Sequence, residues 1–132
     1  MNTITLLNNV IIFILVTSCG LSETLEKKLI GKWTMEKVYE YGKDVTAKHN
    51  PSHNRYFRFN EDGTFMSDGD PFGKNTGRWR VDNEKSILYI DSDTEDDDSE
   101  WKVTFKDDET IWTGIGHPRK ENTTLVHKRS SE

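Results

Sequence analysis

The sequence predicts an all-β domain, an eight-stranded antiparallel up-and-down barrel with a short helical lead before it. Three observations carry that prediction. From Gly31 onward, apolar and polar residues alternate with a period of two in short runs; the runs are separated by clusters of Gly, Asn and Asp; and no helical period falls between them. Eight such runs joined by hairpin turns point to a barrel or sandwich, and the brevity of most links favours up-and-down connection.

The lead comes first. Leu21, Leu25 and Leu29 recur at four-residue spacing, which places one apolar stripe on about two turns of helix. The period then changes to two, and Trp33, Met35, Lys37, Tyr39 and Tyr41 alternate with Thr34, Glu36, Val38 and Glu40 along a long first strand. A polar stretch from Gly42 to Asn54, containing Pro51, reads as a long connection.

Beyond it the punctuation is regular. Tyr56–Phe59 and Thr64–Met66 flank Asn60-Glu61-Asp62-Gly63, a hairpin turn in which the glycine supplies the positive backbone angle. Asp68 to Asn75 is a Gly and Pro loop. Gly77–Val81 and Ser86–Asp91 form a second hairpin, with Trp79, Val81, Leu88 and Ile90 directed inward. After an acidic loop, Trp101–Phe105 and Thr110–Thr113 flank Lys106-Asp107-Asp108-Glu109, and Thr123–Arg129 supplies the last strand.

Two motifs add a family resemblance. Gly31-Lys32-Trp33 resembles the Gly-x-Trp signature of lipocalins, and Phe59-Asn60-Glu61-Asp62-Gly63-Thr64-Phe65 with Gly77-Arg78-Trp79 is similar to small bacterial lipocalin-like domains of envelope lipoproteins. The resemblance runs from about Leu29 to Arg129. It implies that Trp33 plugs the closed end of the barrel and packs against an arginine of the final strand, for which Arg129 is the candidate. Lys128 falls on the other face of that strand. Gly31 would let the backbone enter the first strand close to its neighbours, so Gly31, Trp33 and Arg129 are read as structural closure.

An eight-stranded barrel is either filled by side chains or holds one small ligand. The inward set is bulky here: Trp33, Phe57, Phe59, Phe65, Trp79, Trp101 and Phe105. Short strands make any cup shallow, and a filled core with a small mouth is at least as well supported as a large pocket. If a ligand enters, Phe57, Phe65 and Trp101 are the candidate lining, and a small apolar or amphipathic molecule is the ligand class. The other reading is an accessory protein with a filled barrel that docks onto an envelope protein partner.

The N-terminal segment suggests where the domain works. No charged side chain precedes Cys19, the only cysteine, and the apolar stretch Val10–Val16 is far shorter than the roughly 20 residues a spanning helix needs. It has the length of a signal h-region, although Met1–Asn9 lacks the usual basic residues. Val16-Thr17-Ser18-Cys19 resembles a bacterial lipobox. That resemblance implies a signal peptide over residues 1–18, acylation of Cys19 by fatty acids such as palmitate, a lipid-anchored lead over 19–30 and the barrel domain over 31–132. The implied partner is a membrane, reached through Cys19, in the bacterial cell envelope. Gly20 stands where inner-membrane retention signals usually place aspartate, which favours the outer membrane.

Other chemistry is sparse. The formal net charge of -5 argues against nucleic acid, which calls for a basic stripe. The run from Asp91 to Glu100 crowds carboxylates that can attract calcium, with Asp91, Asp93 and Glu95 as weak candidates. It lacks the glycine at position six and the glutamate at position twelve of an EF-hand loop, where Asp96 and Lys102 stand, and reads as a solvated hairpin tip. His49 and His53 lie either side of Pro51 and read as surface histidines of a loop. No nucleophile and base pair, phosphate loop or zinc spacing can be named, so neither an enzyme nor a cofactor is expected.

Overall fold

The computed structural model describes residues 23–131. Cys19, the lipobox, Gly20 and Leu21 lie outside the described residues. The chain enters through a short helix, α1 (Leu25–Leu29), capped by the Thr24 hydroxyl, which accepts from Lys27 N, and it buries Leu25 and Leu29. Strand β1 (Gly31–Glu40) follows directly. Then come β2 (Lys43–Asp44), helix α2 (Thr46–His49), β3 (Tyr56–Phe59), β4 (Thr64–Asp68), β5 (Asn75–Asp82), β6 (Ile87–Ser92), β7 (Ser99–Lys106), β8 (Glu109–Gly114), α3 (Pro118–Glu121) and β9 (Thr123–Arg129).

Each of β4 to β9 pairs with its predecessor antiparallel, β3 pairs with β1, and β1 closes on β9. The result is a closed eight-stranded up-and-down barrel, with β2 as a two-residue addition to the far end of β1 (Tyr39↔Asp44, Glu40↔Lys43). Closure removes the exposed edges that an open sheet would present. The barrel needs one especially close strand approach: a Cβ on Gly77 would collide with the Asp91 carbonyl oxygen and the Phe65 ring.

Strict alternation along β1 fails at one place. The register with β9 shifts between Met35 and Lys37, so Trp33 and Met35 face inward, Glu36 and Lys37 both face out, and the next inward residue is Val38. A β-bulge inserts one residue and changes the face of everything after it. The inward set of β1 is therefore Trp33, Met35 and Val38, in place of the Lys37 and Tyr39 that an unbroken period implies.

The stretch from Gly42 to Asn54 is also more ordered than a plain connection. Thr46 is buried; its hydroxyl accepts from Val38 N at 3.1 Å and donates to Asp44 Oδ1, which also accepts from Thr46 N at 2.9 Å. These bonds, with Lys37 beside them, lower the Asp44 pKa to about 2. The fully buried Asn50 follows: its Nδ2 donates to Met35 O at 3.1 Å and its Oδ1 accepts from Arg55 N at 3.2 Å. Met35 N in turn donates to Arg55 O at 2.9 Å. The bulge of β1 and the approach to β3 are thus stitched together through one asparagine.

Candidate ligand-binding site

The two ends of the barrel differ. At one end Trp33 is 1% exposed, and its Nε1 donates to Leu29 O at 2.8 Å. Arg129 lies over the Trp33 ring at 4.3 Å, with Nη1 donating to Ile30 O at 3.1 Å and Nη2 to Lys28 O at 2.5 Å. Gly31 sits at φ +122°, and a Cβ there would stand 3.2 Å from Arg129 Nη1, so the residue must be small for both backbone and steric reasons. Phe105 meets Trp33 edge-on at 6.0 Å. Lys128 faces outward, 3.9 Å from Asp108. Helix α1 and its C-cap Ile30 supply the carbonyls that Trp33 and Arg129 use, so this end is sealed.

Above the seal the interior is filled by rings. Phe59, Phe65, Trp79 and Trp112 are all buried, with Phe59 against Trp79 at 5.1 Å and against Trp112 at 5.9 Å. Trp112, 0% exposed, packs on His127 at 4.2 Å, and His127 meets Phe57 edge-on at 5.7 Å. His127 is fully buried, and neither ring nitrogen has a hydrogen-bond partner among the described residues. Burial, and secondarily the positive charge of Arg55, lower its pKa to about 3, so it is neutral at ordinary pH.

Past Phe57 the filling stops. A cavity of about 500 Å³ opens at the far end, with Met35, Val38, Phe57, Ile90, Trp101 and Leu125 as its apolar lining. Glu40, His49, Arg55, Asp68, Lys120 and the carboxylates of Asp96, Asp97 and Asp98 stand around it. Two of the three predicted lining residues, Phe57 and Trp101, therefore meet at the cavity. The third does not. Phe65 is 2% exposed and lies behind Phe57, ring centroids 6.2 Å apart, as part of the filling. The even choice between filled barrel and cup is answered by division: the closed half is packed and the open half is not.

Arg55, just before β3, was not marked by any sequence motif. Its backbone is held by Met35 and Asn50, and its side chain is half-buried at the cavity, with Nη1 donating to His49 O at 2.9 Å and the guanidinium 4.6 Å over the Phe72 ring. Burial lowers its pKa, partly opposed by the charge of Asp97. No carboxylate of the described residues makes an ion pair with it within 4 Å. His49 ends α2 and is half-buried, against the expectation of a surface loop: it stacks on Phe72 at 6.4 Å and places Nε2 2.9 Å from Glu40 Oε1 without hydrogen-bond alignment. Pro51 lies past the helix end, and His53 is exposed.

The acidic loop uses several of its carboxylates for its own shape. Asp93 Oδ2 accepts from Thr76 Oγ1 at 2.9 Å, Asp97 Oδ2 from Asn75 Nδ2 at 2.8 Å, and Asp98 Oδ1 from Ser92 N at 2.8 Å. Among the described residues no three His, Cys, Asp or Glu side chains converge as a metal site, so Asp91, Asp93 and Glu95 do not gather around a common point.

A sealed base, a ring-packed middle and an open mouth on eight meandering strands place the chain among known folds. A crystal structure of a DUF4847 family protein from Bacteroides vulgatus ATCC 8482 superposes with a TM-score of 0.57 at 14% identity, covering 81% of this chain and 97% of that one. At that identity the likeness speaks for the fold alone. A search of the curated proteins returns no significant match. The family described as lipocalin-like domain matches residues 29–112, from the carbonyl that holds Trp33 to the ring that packs on His127, and this chain belongs to that family.

Proposed function

We propose that this barrel is a binding module that takes a small amphipathic or apolar ligand into its open-end cavity, and that it works as an envelope lipoprotein anchored through acylated Cys19. One observation carries the binding reading. The interior is packed below Phe57 yet leaves about 500 Å³ above it, lined by apolar side chains together with charged ones, within the usual 300 to 1,000 Å³ range of small-molecule sites. A barrel serving only as a filled scaffold for a protein partner has no use for that space.

Trp101 on the cavity wall offers a direct readout. Titration of the delipidated protein with N-phenylnaphthylamine should quench or shift tryptophan emission, and Trp101→Phe should remove most of the change. Unaltered emission, together with no ligand extracted from protein purified out of its own cells, would overturn the binding reading. The anchor has a separate test: Cys19→Ala should abolish labelling by radioactive palmitate and release the protein from membranes, and persistent labelling would overturn it. Fractionation of the labelled wild type should place it with the outer membrane.

A further inference from the structure

We propose that the cavity's ligand carries a single negative charge, of the carboxylate class, and that Arg55 is the residue that receives it. This rests on the reading of the cavity as a ligand site and adds the chemistry of the ligand's polar end.

The argument starts from an imbalance. Arg55 is half-buried at a cavity whose wall includes the apolar side chains of Met35, Val38, Phe57, Ile90 and Leu125, and among the described residues no carboxylate lies within ion-pair distance of it. A guanidinium has five N–H donors, and the described bonds of this one use only Nη1, to His49 O. A cation half-removed from water without a partner is costly, and structures normally supply one. Phe72 is no substitute, since that ring is itself 64% exposed. The neighbouring base, His49, already has Glu40 beside it. His127, under the Phe57 ring, is neutral. Lys120 also lines the cavity, but Arg55, whose backbone is held by Asn50 and Met35 and whose Nη1 is held by His49 O, is the fixed cation in reach of a ligand whose apolar part lies on Phe57, Met35 and Ile90.

The other charges refine the class. Asp96, Asp97 and Asp98 are exposed on the rim, and Asp97 and Asp98 already accept loop hydrogen bonds. Solvent screens them too well to hold a cation firmly. Together with Glu40 and Asp68 they outnumber Arg55 and Lys120 at the cavity, so the summed field disfavours a doubly charged anion more than a singly charged one. A monoanion fits this arrangement better than a phosphate.

The test compares four amphiphiles of equal chain length, decanoate, decanol, decylamine and decyl phosphate, by calorimetry on the delipidated wild type and on Arg55→Gln and Arg55→Lys. Decanoate is expected to bind about tenfold or more tighter than decanol, the scale of one charged hydrogen-bonded pair, and tighter than decyl phosphate. Arg55→Gln should erase that preference, so that decanoate and decanol bind alike in the variant, and Arg55→Lys should keep part of it. Decanoate no tighter than decanol, decylamine or decyl phosphate the tightest, or an undiminished preference in Arg55→Gln would each overturn the inference. If Arg55→Gln does not fold, Arg55→Lys and the wild-type ranking decide. Decanol binding without a decanoate preference rejects the charge assignment alone; binding of none of the four rejects the cavity as a site as well.

Discussion

Two arginines stand at opposite ends of this barrel, and each lies over an aromatic ring at nearly the same distance, 4.3 Å for Arg129 on Trp33 and 4.6 Å for Arg55 on Phe72. Their surroundings separate them. Arg129 donates to two backbone carbonyls of the chain's own lead and covers a ring that is 1% exposed. Arg55 donates to one carbonyl and touches a ring that is 64% exposed. The same pair of residue types makes a lid where both terminal nitrogens are turned to the fold's own carbonyls, and the proposed receptor where one of them is left over.

The sharpest way to break this contrast is at the sealed end. Trp33→Ala removes the buried plug and its bond to Leu29 O, and should lower stability by about 3–5 kcal/mol in urea unfolding; a loss below about 1 kcal/mol would mean the plug does not hold the barrel together. The next effect lies in the packed middle. The unfolded chain takes up a proton on His127 near 6.5, whereas the folded chain resists to about 3. Between those values the unfolded state binds more protons, so stability falls as pH drops, by about 1.4 kcal/mol per unit. Asp44, whose folded pKa is about 2, adds a loss that begins only below its ordinary 3.8. Thermal melts from pH 7 to 4 should show the His127 slope, and His127→Leu should flatten it; an equal slope in the variant would assign the acid sensitivity elsewhere.

The smallest effects separate the arginines themselves. Arg129→Gln should cost about 1–2 kcal/mol, from one ring contact and two hydrogen bonds. Arg55→Gln should leave stability within about 0.5 kcal/mol of wild type, because it removes a desolvated cation along with its single bond. Equal losses in the two variants would erase the distinction between lid and receptor.

Much of the fold was legible because hairpins announce themselves locally. Asn60–Gly63 and Asp82–Lys85 mark their turns in the sequence, and the eight barrel strands fall where alternation puts them. The face of each residue was less secure. The bulge after Met35 has no residue signature, and it moves Val38 inward against the alternation. Trp112 and His127 were readable in principle, since Thr110 and Trp112 alternate on β8 and Leu125 and His127 on β9. Arg55 was not. Its importance depends on Asn50, on the bulge of β1 and on where the ring packing stops, and all three exist only once the barrel has closed.

Helix α1 also fixes the end at which the chain enters the barrel. Its carbonyls bind Trp33 and Arg129, so the polypeptide reaches the barrel from beneath the plug. Only a few residues separate Thr24 from the proposed attachment at Cys19. Were the chain anchored there as proposed, the barrel would stand on its stopper like an upright flask, with the neck turned toward the aqueous compartment. Its cargo would then arrive from solution and not out of the bilayer below.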